Sequence, residues 1–130
     1  MTGDQFSELV ASILRDEEPL VGLYEELERA AGTGTRLKLA QQMLEYQRFQ
    51  MECLDLLEGE VPEDFQCFGQ IIDRDVNLRE GAGPRHRLVT KLGRGTPIII
   101  MSYHGNWTRI QTPEGQTGYV FKDYAECRLS

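Results

Sequence analysis

Among three cysteines and two histidines, Cys67 and His104 are a thiol and an imidazole that could in principle meet as a nucleophile and its base. Nucleophilic catalysis needs an activated thiol or hydroxyl, a base within hydrogen-bond reach and a third group that orients the base. The surroundings argue otherwise. His104 precedes Gly105-Asn106, a turn dipeptide, and buried cysteine usually serves as a small apolar filler. Cys53 falls on an apolar helical seam and Cys127 near the C-terminus, neither within a motif. The adjacent carboxylates Glu17-Glu18 and Glu25-Glu26 diverge on a helix and read as a solvated surface. The expectation is therefore no catalytic residue, no metal and no cofactor. Binding chemistry is better represented. Trp107 and Tyr103 flank the Gly105-Asn106 turn, Tyr119 lies on a later strand and Tyr124 follows it, while Asn77 and Arg79 point outward if Val76 and Leu78 point in. An aromatic groove beside a few polar groups is how small β domains hold extended peptides. The candidate ligand-binding set is thus Tyr103, Trp107, Tyr119, Tyr124, Asn77 and Arg79. Equally open is a structural role, with Trp107 and Tyr119 closing the core and Arg79 paired with Asp73, Asp75 or Asp123.

The elements that must position these residues are extended. Val76-Asn77-Leu78-Arg79 alternates with period two and is broken by Gly81, Gly83 and Pro84. Leu92-Gly93-Arg94-Gly95-Thr96-Pro97 follows, then Ile98 to Met101, Gly105-Asn106-Trp107-Thr108-Arg109-Ile110 and Gly115-Gln116-Thr117-Gly118-Tyr119-Val120. In that order and spacing, residues from about Phe68 to Ser130 resemble a bacterial Src-homology-3 (SH3-like) domain. Val76 stands at the first Leu of the family's strand pattern, and Tyr119 where Trp is frequent. The resemblance implies a small closed barrel of five strands that binds peptides or cell-wall fragments and performs no chemistry. Papain-like wall peptidases carry such barrels, but this chain has no room for their catalytic domain.

Ahead of the barrel the apolar period changes. Phe6, Val10, Ile13, Leu20, Tyr24, Leu27 and Ala31 recur at helical spacing, and Pro19 predicts either one kinked helix or, the reading favoured here, two helices with a break at Pro19. Gly32-Thr33-Gly34-Thr35 reads as a turn. A helix from about Arg36 to Glu58 then carries two seams: Leu37, Ala40, Leu44, Met51 and Leu54, and beside it Leu39, Met43, Tyr46, Cys53 and Leu57. One antiparallel partner covers only one stripe, so the second seam needs the barrel or a second copy of the hairpin. A homodimer through the helices is the expectation. Leu23 to Leu27 with Leu39 to Arg48 is also similar to a ferritin-like helix pair, but Arg48 stands three residues after Glu45 where that family has a histidine, and guanidinium cannot ligate a metal. The fold class is therefore α+β: residues 1–60 a helical hairpin of two to three helices, 61–67 a connector whose Phe65 and Cys67 dock the two parts with Phe68, and 68–130 the barrel.

Charge divides the same way. Residues 1–66 hold fifteen acidic against five basic groups, a net of −10, and residues 67–130 six against nine, a net of +3. Phosphate recognition needs clustered positive charge, and Arg85-His86-Arg87 with Lys91 and Arg94 lacks interleaved aromatics, so no nucleic acid is expected. The longest aliphatic run, Ile98 to Met101, is far short of the ~20 residues of a membrane span. Three cysteines at unrelated spacings argue against a disulfide framework. With no basic or apolar leader after Met1, the chain reads as cytoplasmic, with a protein or peptide as its partner.

Overall fold

A heptad-like series on the first segment, Val10, Leu14, Glu17, Val21, Tyr24 and Glu28, faces Ala40, Leu44 and Gln47 of the next, which forces an antiparallel pair of helices. The computed structural model describes residues 3–59 and 61–129. Helix α1 spans Gly3–Ala30 and α2 spans Thr35–Glu58, and they lie in one compact unit, Met1–Glu60. The expected break at Pro19 does not occur: α1 runs through it. Proline in a helix removes one hydrogen bond and costs about 3 kcal/mol. Pro19 sits on the exposed side, so water can hydrate the freed Arg15 carbonyl while packing against α2 continues on both sides. Gly34, with φ of 79°, turns the chain into α2. Val10, Ala40 and Leu44 are buried, and Gln47 fills the gap in that seam by donating its Nε2 to Glu17 Oε2 at 3.3 Å. No described helix is long and apolar enough to cross a membrane.

The second unit, Val61–Ser130, is a sheet. Its strands are β1 Cys67–Ile71, β2 Val76–Arg79, β3 Leu88–Leu92, β4 Pro97–His104, β5 Trp107–Gln111, β6 Thr117–Phe121 and β7 Ala125–Leu129, with a single 3-10 turn at Lys122–Tyr124. The antiparallel order is β3-β2-β6-β5-β4-β1-β7. This corrects the expected five-stranded closed barrel in number and in closure: among the described residues there are seven strands, and the end strands β3 and β7 do not pair. The two extra strands were hidden for physical reasons. β1 is buried at four of its five positions and so shows no alternation, and β7 lies beyond the Gly-Tyr-Val segment that ends the family pattern.

The sheet nevertheless wraps one core. Ile71, Val76, Leu78, Leu92, Ile98, Ile100, Ile110 and Val120 form a single buried cluster drawn from β1 to β6. The β2-β3 hairpin reaches the rest through one bridge, Arg79 opposite Tyr119. Gly118 permits that approach, because a Cβ there would lie 2.6 Å from the Arg79 carbonyl oxygen and 2.9 Å from Leu78. A second correction concerns the cysteines. Cys67 on β1 and Cys127 on β7 are joined by a disulfide, with Cα atoms 6.0 Å apart, and only Cys53 is a free cysteine among the described residues. The odd count had concealed one pair and one buried thiol.

Candidate functional site: an aromatic groove on the sheet

Alternation along β5 buries Thr108 and Ile110 and leaves Trp107, Arg109 and Gln111 on the outer face. The β5-β6 register sets Trp107 opposite Phe121 and Arg109 opposite Tyr119. On β2, Val76 and Leu78 are buried, and Asn77 and Arg79 are half-buried on the other face. The 3-10 turn after β6 then places Tyr124 next to Phe121. These pieces surround an open groove of about 580 Å³, walled by Asn77, Arg79, Trp107, Phe121 and Tyr124 and rimmed by Asp73, Arg74, Asp75, Pro84 and Asn106.

The aromatic wall is continuous. Trp107 and Phe121 meet edge to face with centroids 5.9 Å apart, and Phe121 and Tyr124 are tilted at 5.6 Å. Such contacts fix each ring against its neighbour, so the wall loses little freedom when a ligand arrives. The 73–75 loop is ordered from within. Asp73 Oδ1 accepts the Arg74 backbone N–H at 2.7 Å, and Asp75 adopts a left-handed φ of 49°, which aspartate tolerates better than most residues. Asn77 Oδ1 is buried without a hydrogen-bond partner. A buried polar atom left unpaired costs free energy, and a ligand N–H that reached it would recover that cost.

Four of the six candidate residues, Asn77, Arg79, Trp107 and Tyr124, line this groove. Two do not. Tyr103 pairs in register with Thr108, opposite in alternation to His104 and Trp107, and is 60% exposed away from the groove. Tyr119 packs edge to face on His104 at 5.4 Å. Arg79 does not pair with Asp73, Asp75 or Asp123; its Nη1 donates to the His86 carbonyl at 3.0 Å, tying β2 to the 80–87 loop. Phe121 was missed, although its position two residues after Tyr119 and across the hairpin from Trp107 marked it as the middle of the wall. The acidic rim was legible only as possible partners for Arg79.

Cys67 is tied to Cys127 and offers no thiol to His104, whose Nε2 instead lies 2.8 Å from Ser102 Oγ. Among the described residues no carboxylate hydrogen-bonds to His104, so this pair lacks an orienting group, and no cluster of three His, Cys, Asp or Glu side chains could hold a metal. Arg48, at the position a metal-binding histidine would take, is 2.9 Å from Glu25.

A small antiparallel sheet curled on one core, with its aromatic groove between the 73–75 loop and the β4-β5 turn, is the SH3-like class of binding domain. Residues 74–126 match the family described as Bacterial SH3 domain, and this part of the chain is such a domain. A 50-residue stretch is 42% identical to the "Probable endopeptidase p60" of Listeria seeligeri and 40% identical to that of Listeria welshimeri. Each match covers 38% of this chain and 10% of the relative, so the chain spans about a tenth of those proteins, within the SH3 region.

Proposed function

We propose that this is a non-enzymatic interaction protein, in which the SH3 unit holds an extended peptide in the groove beside Trp107 and the helices set the oligomeric state as a homodimer. The observation that carries the reading is the continuous Trp107-Phe121-Tyr124 wall with Asn77 and Arg79 beside it in one open groove. Extended peptides supply both complements, backbone polar groups and side chains to lie on rings. The site set is accordingly Asn77, Arg79, Trp107 and Tyr124, with Phe121 added and with Tyr103 and Tyr119 kept outside the groove.

A second reading, a cell-wall module for peptidoglycan stem peptides, is favoured by the rim. Asp73 and Asp75 with Arg74 and Arg79 offer both signs of charge, which suits a short peptide bearing free amine and carboxylate groups. The Cys67–Cys127 bond supports an oxidising compartment for this reading and weighs against the cytoplasmic expectation. Co-sedimentation with purified peptidoglycan, alongside selection from a display library of ten-residue peptides, separates the two. In either case Trp107→Ala in the full chain should lose the binding while keeping its circular dichroism. Equal retention of wild type and variant would remove the groove as the site.

A further inference from the structure

One side of the helical hairpin is apolar and bare. Leu9, Ile13, Leu20, Leu23 and Leu27 of α1 and Leu39, Met43 and Tyr46 of α2 are each between 40% and 59% exposed. Helical spacing puts the five on one stripe of α1 and the three on one stripe of α2. The stripes join at the turn end, where Leu27, Leu39 and Met43 line a shared groove of about 260 Å³. The exposed side chains amount to on the order of 700 Å² per chain; two copies would bury about 1,400 Å², within the ~1,200–2,000 Å² of a standard stable interface.

Charge decides how two copies would meet. The open end of the hairpin, residues 5–12 and 51–58, carries Glu8, Glu52, Asp55 and Glu58 and no basic residue. The turn end, residues 25–38, carries Arg29, Arg36 and Lys38 against Glu25, Glu26 and Glu28, so it has no net charge, and none of its three cations has an ion-pair partner among the described residues. Stacking two hairpins in the same direction sets acidic end on acidic end. Reversing one sets each acidic end beside the partner's unpaired cations.

We infer that the bare face is a self-association surface on which a second copy packs in the reverse direction, giving a four-helix bundle with its two turns at opposite ends. This rests on the proposal that the helices set oligomeric state, and fixes the geometry of that dimer. The two-fold axis crosses the face midway along the α1 stripe, between Ile13 and Leu23. Arg29, Arg36 and Lys38 of each copy then lie beside the opposite copy's open end.

A nitroxide on the full-length Thr33→Cys variant tests the arrangement, because Cys67 and Cys127 are bonded and Cys53 is buried. Sedimentation velocity gives the mass, and dipolar electron resonance the distance between the two labels. The reverse dimer puts the labels about 40 Å apart, nearly the length of a 28-residue helix. A dimer with labels within about 20 Å would overturn the arrangement but leave the dimer standing. A monomer at 50 μM would overturn both. The Leu23→Glu/Met43→Glu variant, altered only at exposed positions, should be monomeric with unchanged helicity; a persistent dimer would show that another surface is used.

Discussion

Trp107 and Phe121 face each other directly across the β5-β6 ladder, their rings perpendicular within 10° at a centroid separation of 5.9 Å. Phe121 in turn touches Tyr124 at 5.6 Å. The central ring therefore sets the pose of both outer ones. Replacing Phe121 with Ala should weaken ligand binding about tenfold, or ~1.4 kcal/mol, even where the ligand never touches that ring. Titration of the variant by calorimetry against a peptide selected on the wild type checks this; full affinity would mean that the outer rings are held by something else.

Gly118 is a packing requirement. A methyl group there meets the Arg79 carbonyl and Leu78 at distances no real contact shows, so the lone bridge between β2 and β6 must open. Gly118→Ala should destabilise the chain by about 1–3 kcal/mol, as overpacking of a closed core does, and lower the denaturant midpoint. An unchanged midpoint would mean that β2 moves without cost.

Much of this domain was legible before its coordinates. Val76 to Arg79, Ile98 to Met101, Trp107 to Ile110 and Gly118 to Val120 all announce strands, because each has one wet face or a turn at its end. β1 does not, since burial on both sides erases alternation, and β7 adds only one half-covered position. Pro19 misled because local propensity was read without the packing on α2 that overrides it. The groove was legible in Trp107, Asn77, Arg79 and Tyr124. Tyr103 was misplaced by the register shift between Ile100 and Ser102 in the β4-β5 ladder, and strand alternation alone does not reveal such a bulge.

The Cys67–Cys127 bond closes a loop of sequence separation 60 and ties β1 to the last strand. In the chain-entropy picture a loop of that length contributes about 4 kcal/mol. Reduction under otherwise native conditions should lower the denaturant midpoint of the SH3 unit markedly. Superimposable curves for oxidised and reduced protein would show that the bond contributes nothing to stability.

Cys53 is buried, and burial, with Glu52 adding repulsion, pushes its thiol from an ordinary value near 9 up to about 12. Since the folded value lies above the unfolded one, the contribution to stability is intact below pH 9 and is lost as pH climbs toward 12. Wild type should thus lose more stability between pH 8 and 10.5 than Cys53→Ala does, measured by urea midpoints. Parallel losses would remove Cys53 as a contributor. Iodoacetamide should also label Cys53 at pH 8.5 only after urea is added.

Trp107 is the single tryptophan of the chain, so its emission reports on the groove alone. Titrating the full-length protein with soluble peptidoglycan stem peptides, and separately with a library-selected ten-residue peptide, should shift and saturate that emission for at least one of the two, with the response weakened by Asn77→Ala. Ligand binding shown by calorimetry with no change at Trp107 would contradict the groove as the place where this protein holds its partner.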